Sequence, residues 1–353
     1  MLQESRYLQF KHWLSSVLSL ENDCFTDNLT SMTGDAGFRQ YYRFQYKGQS
    51  LIAVDAPPML SNNEAFVVIQ KAFSSNALLV PQIVAFDLTQ GFFCLTDFGD
   101  KLLSDVVTWE AESTIIKEYY NKAIKLIPII ASTDIAVTES YSLPIYDQEF
   151  IHRELDIFKE WLLEKHLQIE LSAAEINQLE LCFDFLTDSA MSQPQVTVHR
   201  DFHSRNIMVL NDNDLGIIDF QDAVVGPITY DIVSLLRDCY VKYPDEVIKP
   251  LFKSFCQLAE EKYDLDKITP QQWQQWFDLM GLQRHLKASG IFCRLYYRDN
   301  KNGYLKDIPL TLSYVEDISA LYPQLSFLNQ LITEKVQPLM KALISSSSSV
   351  SEA

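Results

Sequence analysis

The spacing of apolar residues in the first hundred positions predicts one amphipathic helix followed by a strand-rich segment. Apolar residues recur at helical spacing within residues 3–20, so this stretch is expected to form a helix. Residues 30–55 alternate short apolar and aromatic runs with glycine-containing turns, which predicts three strands, and residues 83–95 predict a further hairpin. A helical segment over residues 64–73 separates the two groups of strands. These elements predict an N-terminal lobe over residues 1–99.

The remainder of the chain is predicted to be mostly helical. Apolar stripes within residues 150–166 and 173–188 have helical spacing, and a further helix is expected to begin at Gly226. These elements predict a C-terminal lobe over residues 100–344, and the fold class is α+β with two lobes. The serine run that begins at residue 345 predicts a disordered tail over residues 345–353.

The charge balance limits the classes of binding partner. The chain has 353 residues, of which 47% are hydrophobic and 12% aromatic, so it can bury a large core. It contains 29 Lys and Arg against 47 Asp and Glu, which gives a formal net charge of −18. Nucleic acids and anionic membranes bind basic surfaces, so neither is an expected partner. A nucleotide ligand would require Mg²⁺ or a few well-placed basic groups.

The cysteines indicate neither a zinc site nor a disulfide framework. The six cysteines include no C-x-x-C pair, and no histidines follow them at zinc-site spacing. The N-terminus lacks a basic segment followed by an apolar core, and no run approaches the ~18 apolar residues of a membrane span. We therefore expect a cytoplasmic protein.

Three oxygen-bearing side chains interrupt the apolar runs between residues 196 and 220. The runs predict a strand, a loop and a two-stranded hairpin closed by an Asn-Asp-rich turn. Asp201 and Asn206 lie on the loop and Asp219 directly follows the last strand, so a hairpin could direct the three side chains toward one point. Hard oxygen ligands suit Mg²⁺, which prefers one or two carboxylates together with substrate phosphates.

This segment resembles the catalytic core of the protein-kinase-like phosphotransferases. Residues 199–206 read H-R-D-F-H-S-R-N, and Asp219 opens a D-F-Q triplet where these enzymes have D-F-G. The resemblance implies a bilobal fold with an antiparallel sheet in the N-lobe, and ATP as co-substrate. It also implies that Asp201 accepts the proton of the acceptor hydroxyl and that Asn206 and Asp219 bind Mg²⁺.

The histidine two residues after Asp201 narrows the resemblance to kinases of small molecules. The pattern H-x-D-x-H-x-x-N, present here with His203, is typical of aminoglycoside phosphotransferases and choline kinases. His203 itself is either a contact to the acceptor or a brace for the loop. By the same resemblance, a D-F-G string at residues 97–99 precedes the catalytic loop and so marks the hinge between lobes.

The nucleotide is expected to bind to the N-lobe through a glycine-containing loop and the hinge. Backbone N–H groups of such a loop can bind phosphates, and hinge backbone groups would meet adenine. The residues predicted to bind ATP are Gly34, Asp35, Ala36, Gly37, Arg39, Thr96 and Phe98.

One departure concerns the phosphate-binding lysine of the third strand. Where kinases have Val-Ala-Ile-Lys, this chain has Ile-Ala-Val-Asp and ends the motif at Asp55. Another cation must then bind the phosphates, or the metal ions must neutralise more of their charge. Arg39 is the candidate, and the alternative is that Arg39 only covers the edge of the sheet.

Motifs in both lobes resemble those of the N-acetylmuramate/N-acetylglucosamine kinases of bacterial cell-wall recycling. They are the glycine-loop segment, an Asp-Ala-Pro-Pro block at residues 55–58, the H-R-D loop, and residues 283–299 with Arg284 and Arg298. The resemblance implies ATP-dependent phosphorylation of an amino sugar at its anomeric hydroxyl. The residues expected near the sugar are Glu154, Asp156, His203, Arg205 and Asp222, each of which could equally be a solvated or bridging charge.

Two other functions stay open on the sequence alone. The first is an aminoglycoside or amino-alcohol kinase of the same fold, because the acidity of the chain suits a cationic acceptor. The second is a pseudokinase that binds a nucleotide with little catalysis, because Asp55 replaces the lysine. The intact Asp201, Asn206 and Asp219 argue against the second. The expected partners are ATP and a small amino sugar, and the protein is expected to be a monomer.

Overall fold

The computed structural model describes residues 2–18, 29–32, 38–135, 141–263, 265 and 267–350. The chain forms two compact units, the first comprising Met1–Asp105, Ser132–Leu143 and Arg205–Ala223, and the second comprising Val106–Ala131, Pro144–Ser204 and Val224–Ala353. The first unit thus differs from the predicted N-lobe over residues 1–99. It also includes two later segments of the chain, one of which carries the hairpin after the H-R-D loop.

The described residues contain the following helices and strands in chain order: α1 (Leu2–Val17), β1 (Thr30–Met32), β2 (Gln40–Tyr46), β3 (Gln49–Asp55), α2 (Asn63–Ser75), β4 (Ile83–Asp87), β5 (Phe92–Thr96), α3 (Ser113–Ala131), α4 (Gln148–Ile157), α5 (Ala173–Met191), β6 (Gln195–Val198), β7 (Ile207–Val209), β8 (Leu215–Ile217), β9 (Val224–Pro227), α6 (Tyr230–Leu236), α7 (Asp245–Tyr263), α8 (Pro270–Asp299), α9 (Ile308–Ser319), α10 (Ser326–Leu331) and α11 (Gln337–Val350). These elements confirm the predicted α+β class. Among the described residues, no helix has the length and hydropathy needed to cross a membrane.

The first unit contains an antiparallel sheet with the strand order β1-β2-β3-β5-β4. One face of the sheet packs against α1 and buries Leu51 and Ala53 beside Phe10 and Phe92. The opposite face buries the neighbouring positions of β3, as expected for side chains that alternate along a strand. The helix predicted near residues 3–20 is confirmed as α1. Within it, Phe10 is buried in the core, whereas Leu8 is exposed on the outer side.

Strand register corrects the interpretation of Asp55. Because β3 alternates between two faces, Asp55 points to the α1 side, where Arg6 donates from Nε to its carboxylate at 2.9 Å. Ile52 and Val54 occupy the other face, beside Phe66 of α2. Asp55 is therefore part of an ion pair on the α1 face of the sheet and does not project toward the α2 face.

The hairpin after the H-R-D loop belongs to the first unit. Strands β7 and β8 pair antiparallel, and their turn contains the predicted Asn-Asp tetrad. Hydrogen bonds from the Val209 N–H to the Lys101 carbonyl and from the Ile217 N–H to the Leu79 carbonyl attach the hairpin to the rest of the unit. Gly216 allows close packing here, since a Cβ at this position would lie 2.6 Å from the ring of Phe98.

The second unit is built around the long helix α8. Gly290 lets α8 approach the junction where α4 continues as a π-helix (Phe158–His166), because a Cβ there would lie 2.3 Å from the Ile157 carbonyl oxygen. The predicted helix over residues 150–166 is thus α4 together with this π-helical turn. Helix α3, with Pro128 inside it, was not among the predicted elements.

Two predictions about the second unit need correction. Residues 224–227 form strand β9, which pairs antiparallel with β6, so the helix expected from Gly226 begins only at Tyr230. The β-branched pair before Gly226 favours the strand, and the backbone of Pro227 cannot donate to further pairing. The serine run predicted to be disordered continues helix α11 as far as Val350. Serine lowers helix propensity only modestly, so a packed helix can extend through it.

Candidate active site

Asp231 holds the backbone of the H-R-D loop in the second unit. Its two carboxylate oxygens accept hydrogen bonds from the His199 N–H at 2.8 Å and the Arg200 N–H at 3.0 Å. Arg200 has a φ of 77°, a conformation that costs energy in any residue with a side chain. The two hydrogen bonds stabilise this strained turn, which presents the following residue, Asp201. Asp231 is therefore a structural brace for the loop.

Burial raises the pKa of Asp231 to about 7, although its two backbone hydrogen bonds oppose the shift. Only 2% of the residue is exposed, so the charged form loses nearly all of its hydration. The backbone hydrogen bonds described above nevertheless require acceptor oxygens on both sides of the carboxyl group. Asp231 consequently binds the backbone of the H-R-D loop most tightly in its ionised form.

A buried carboxylate, Glu154, lies behind the loop and binds two cations. Arg200 Nη2 lies 2.6 Å and Lys287 Nζ 2.7 Å from Oε1, while the Tyr146 hydroxyl donates to Oε2 at 2.6 Å. Gln283 Nε2 adds a further hydrogen bond at 3.1 Å. Burial alone would raise the pKa of Glu154, but Lys287 and Arg200 lower it to about 2. Glu154 is thus an internal ion-pair residue and not the sugar contact that the sequence suggested.

The same cations act on Asp201. Burial by itself raises the pKa of Asp201, but Lys287 and Arg200, followed by His203 and Arg284, bring it below the ordinary value. The carboxylate is therefore ionised at neutral pH. An ionised carboxylate can orient a hydroxyl group and accept its proton as the oxygen becomes bonded elsewhere.

A cavity of about 120 Å³ opens beside Asp201. Its wall includes His203 from the loop and residues of the segment after α6 and of α8, namely Ser234, Asp238, Cys239, Tyr240, Arg284, Lys287, Ala288, Ile291 and Phe292. The ring of His203 packs edge-on against Tyr240, and its Nδ1 makes no hydrogen bond among the described residues. Of the five side chains predicted near the sugar, only His203 lines this cavity.

The polar residues of the motif at residues 283–299 lie in separate environments. His285 is fully buried, stacks on Tyr314, and its Nε2 lies 2.9 Å from the Arg237 carbonyl oxygen. Arg298 forms an exposed ion pair with the adjacent Asp299 at 2.8 Å. Of Arg284, His285 and Arg298, only Arg284 lines the cavity.

In the first unit, the β7–β8 hairpin brings Asn206 and Asp219 together. Asn206 Nδ2 lies 3.4 Å from Asp219 Oδ2, and Gln221 Nε2 donates to Asp219 Oδ1 at 2.7 Å. The Ile218 N–H donates to the Asn206 carbonyl, which fixes the end of β8 against the loop. Asp219 has a φ of 62°, so its conformation is strained, as is common for residues at functional sites.

The donor set at Asn206 and Asp219 fits a partly hydrated Mg²⁺. One carboxylate and one amide oxygen leave most of an octahedral shell to water and substrate phosphates, which is the usual arrangement for this ion. Among the residues described by the structure, no three His, Cys, Asp or Glu side chains form a complete metal cage. The pair is consistent with a metal that binds together with its substrate.

Arg39 lies on the same face of the sheet as Phe66. Its guanidinium carbon lies 5.3 Å from the Phe66 ring centroid, and Nη2 donates to the Asn62 carbonyl at 3.2 Å. The Phe66 ring in turn stacks on Phe220, the residue after Asp219, with 5.0 Å between centroids. Besides covering the edge of the sheet, the Arg39 side chain therefore lies near the Asp219 end of the hairpin.

Tyr41 connects Arg39 electrostatically with Asp219. Burial is the main cause of the raised pKa of Tyr41, while a hydrogen bond and the charge of Arg39 oppose the shift and the charge of Asp219 adds to it. The phenol, the guanidinium and the carboxylate therefore lie within interaction range of one another.

Hydrogen bonds and an ion pair to Asp97 hold the predicted hinge segment in place. Ser50 and Arg43 bind its carboxylate at 2.6 and 2.7 Å, and Asp97 accepts the Gly99 N–H at 2.9 Å. The Thr96 N–H donates to the Gln82 carbonyl, so it is not free for adenine as predicted. Among the described residues, the backbone of Phe98 makes no backbone hydrogen bond.

The remaining predicted residues lie elsewhere or outside the described residues. Gly34, Asp35, Ala36 and Gly37 belong to the segment that the structure does not describe. Asp156 is half-buried on α4 and does not line the cavity, and Arg205 and Asp222 belong to the first unit.

Sequence reasoning missed Lys287 and Tyr146, which bind Glu154. Lys287 could have been found because it follows Arg284 by three residues on an apolar helix, which places both on one face. Tyr146 lies just before α4, and nothing in its sequence context marks it.

Comparison with known proteins identifies the family of the chain. Residues 28–267 match the family described as "Phosphotransferase enzyme family". The chain is 34% identical over 340 residues to the N-acetylmuramate/N-acetylglucosamine kinase of Pseudomonas putida, covering 93% of this chain and 96% of the relative. The corresponding kinase of Neisseria meningitidis is 35% identical, with 94% and 96% covered.

Solved structures show the same fold at much lower identity. The structure of an ethanolamine kinase from Plasmodium vivax superposes with a TM-score of 0.60 at 12% identity, covering 84% of this chain and 85% of that protein. The predicted protein-kinase-like fold is thereby confirmed. At such low identity the likeness concerns the fold alone.

Proposed function

The chain belongs to the phosphotransferase enzyme family, and from this premise we propose that it transfers the γ-phosphoryl group of ATP to the anomeric hydroxyl of N-acetylmuramate or N-acetylglucosamine. The choice of sugar follows the names of relatives that are 33–35% identical over nearly the whole chain. The observation that carries the proposal is Asp201, an ionised carboxylate on the wall of a cavity that also contains His203.

The reaction forms one P–O bond and breaks another. The anomeric oxygen of the sugar bonds to the γ-phosphorus, its proton passes to Asp201, and the bond from the γ-phosphorus to the bridging oxygen breaks. The products are the sugar 1-phosphate and ADP. The strained turn at Arg200, fastened by Asp231, keeps the carboxylate of Asp201 in a fixed direction during this transfer.

The phosphates of ATP are proposed to bind to the first unit. Asn206 and Asp219 would bind Mg²⁺, which would offset the negative charge of the phosphates. Arg39 takes the role of the third-strand lysine, since its position over Phe66 and its interaction with Tyr41 place it in range of Asp219. The backbone of Phe98 is the proposed contact for adenine.

The amino-alcohol kinase alternative is less favoured. Arg284 and Lys287 line the cavity together with Asp201 and Asp238, so the charge of the wall alone does not select a cationic acceptor. The names of the relatives, which are amino-sugar kinases, argue against this alternative. A nucleotide-binding protein without catalysis would not require the charge environment that keeps Asp201 ionised.

Turnover with sugars tests the proposal directly. We expect ADP release from ATP with either amino sugar, and a ³¹P NMR signal of a sugar 1-phosphate. Asp201→Asn should lower kcat by several orders of magnitude, whereas Asp212→Asn, at an exposed turn, should not. ADP release that does not depend on any sugar, or a phosphate at another carbon, would contradict the proposal.

The role of Arg39 has its own test. Arg39→Met should raise the KM for ATP about 10-fold or more, as expected for the loss of a charge-assisted contact to phosphate. Lys71→Met on the exposed side of α2 serves as the matched control for loss of a positive charge. Equal KM values for the two variants would exclude Arg39 as the replacement for lysine.

We also propose that the protein acts as a monomer in the cytoplasm, where ATP is available. Size-exclusion chromatography with light scattering would measure the mass of the particle in solution. A dimer mass, or recovery of the protein in a membrane fraction, would contradict these two statements.

A further inference from the structure

Helix α8 places two cationic side chains on the wall of the cavity that contains Asp201. Arg284 and Lys287 are three residues apart, so they project from the same side of the helix. Lys287 pairs with Glu154, whose Oε1 lies 2.7 Å from Nζ and is shared with Arg200. Among the described residues, no carboxylate lies within ion-pair distance of Arg284, although the charge of Asp201 acts on it from a longer distance. The two cations therefore differ in whether a carboxylate contacts them directly.

Arg284 is costly to hold in this position. Only 9% of the residue is exposed, and its Nε has no hydrogen-bond partner among the described residues. The Arg284 guanidinium lies over the ring of Tyr230, 5.2 Å from the centroid, which favours the cation, and the two side chains also share a hydrogen bond. A buried charge that no carboxylate contacts destabilises the fold, so a ligand carboxylate that pairs with Arg284 would recover this energy on binding.

Two carboxylates, those of Asp201 and Asp238, also line the cavity wall. Asp238 accepts the Ser204 hydroxyl at 2.6 Å and the Tyr240 N–H at 3.2 Å. These donors fix the Asp238 carboxylate in place and reduce its capacity to pair with Arg284. The charge of Asp201 acts on Arg284 without a direct ion pair, so Arg284 retains donor capacity for a ligand.

The cavity has room for an acidic substituent. Its volume of about 120 Å³ is several times the ~10–15 Å³ that one water requires, and Ile291 and Phe292 provide an apolar wall. A guanidinium presents paired donors that match the geometry of a carboxylate. The cavity therefore suits a small group with one carboxylate and an apolar methyl or methylene part.

We propose that Arg284 binds the carboxylate of the lactyl ether of N-acetylmuramate and so makes the enzyme prefer this acidic sugar to neutral N-acetylglucosamine. This inference rests on the proposed function, since it assumes that an amino sugar is the acceptor at Asp201. Lys287 contributes positive potential to the same cavity wall but is already bound to Glu154. Arg284 is therefore the residue expected to determine the preference.

The test compares three acceptors: N-acetylmuramate, N-acetylglucosamine, and 3-O-propyl-N-acetylglucosamine, which has similar bulk but no carboxylate. With the wild-type enzyme we expect kcat/KM for the acidic sugar to exceed that for the propyl ether about 10- to 100-fold, the usual effect of one charge-assisted hydrogen-bonded pair. In Arg284→Met this ratio should fall close to one. Arg284→Lys keeps the charge without the paired donors and should give an intermediate ratio.

Arg298→Met is the matched control, because it removes an arginine from the same helix at an exposed position. Its acceptor ratio should equal that of the wild type. Equal wild-type rates with the acidic sugar and the propyl ether would overturn the inference even if Arg284→Met does not fold. An equal loss for all three sugars in Arg284→Met would also overturn it and assign Arg284 to the phosphoryl group. Absence of turnover with every sugar would overturn the proposed function and this inference with it.

Discussion

Removing the charge of Glu154 should destabilise the protein far more than removing the charge of Glu149 on the same helix. Glu154→Gln keeps the shape of the side chain but leaves Arg200 and Lys287, both mostly buried, without a counter-charge. The amide nitrogen of Gln would also face a donor on one of these partners. Stranding a buried charge in this way typically costs about 3–5 kcal/mol, which we take as the expected loss.

The matched control is an exposed carboxylate. Glu149 forms an i,i+4 ion pair with Arg153 at 2.7 Å, but its side chain is 81% exposed and that of Arg153 58%. Water screens such a pair, which contributes about 0.3–0.5 kcal/mol, so Glu149→Gln should change stability by no more than this. The two substitutions are chemically identical, and their difference isolates the effect of burial.

Urea unfolding, followed by tryptophan fluorescence and by far-UV circular dichroism, measures both variants under the same conditions. If the transitions measured by the two probes coincide, unfolding is two-state and each curve gives a free energy of unfolding. A further variant that combines Glu154→Gln with Lys287→Met should recover part of the loss, because one stranded cation is gone. A difference below about 1 kcal/mol between the two single variants would refute the reasoning, since the buried pairs would then contribute no more than surface pairs.

Three further predictions follow from burial and close contacts. The pKa of Glu154 falls from 4.5 to about 2 on folding, so ionised Glu154 stabilises the folded protein above pH ~4.5, and this stabilisation is lost as the pH falls toward 2. The difference in free energy of unfolding between the wild type and Glu154→Gln should therefore shrink over that range in acid titrations. Gly290→Ala should cost at least ~2 kcal/mol in urea unfolding, because its Cβ would meet a backbone carbonyl, whereas Gly281→Ala in the same helix would place its Cβ no closer than 3.1 Å to side-chain atoms of Arg237 and should cost less. Arg6→Met should lower stability by about 1–3 kcal/mol but leave the KM for ATP unchanged, because its partner Asp55 faces away from the α2 face of the sheet; a raised KM would contradict the register argument.

Local patterns were sufficient to predict most strands and helices, but not their orientation relative to a ligand. Runs of apolar and aromatic residues located β2, β3 and β5, and most residues of β3 and β5 are buried because both faces of the sheet are covered there. It did not reveal that Asp55 lies on the α1 face, since a shift of one residue exchanges the two faces. That assignment needs the position of Arg6, which is 49 residues away in the chain.

The candidate site was predictable where its residues lie within one short segment. Asp201, Asn206 and Asp219 fall in a single motif with fixed spacing, so their grouping could be inferred from the sequence. Glu154 was expected near the acceptor, but its real partners come from the H-R-D loop and from α8, which lie 46 and 133 residues further along the chain. A single sequence contains no information on which of many charged residues form such a pair.

The net charge of the chain is a poor guide to the acceptor. A formal charge of −18 suggests affinity for cations, yet salt screens charges that lie more than ~8–10 Å apart, so the ligand experiences mainly the groups around it. Around Asp201 those groups include Arg200, Lys287 and Arg284, and Glu154 contacts the first two and offsets part of their charge. Arg284 has no carboxylate in direct contact among the described residues and lies in a nearly dry environment, where an electrostatic interaction is strongest. We therefore expect that an acidic protein can select an acidic acceptor where a buried guanidinium makes no direct ion pair of its own.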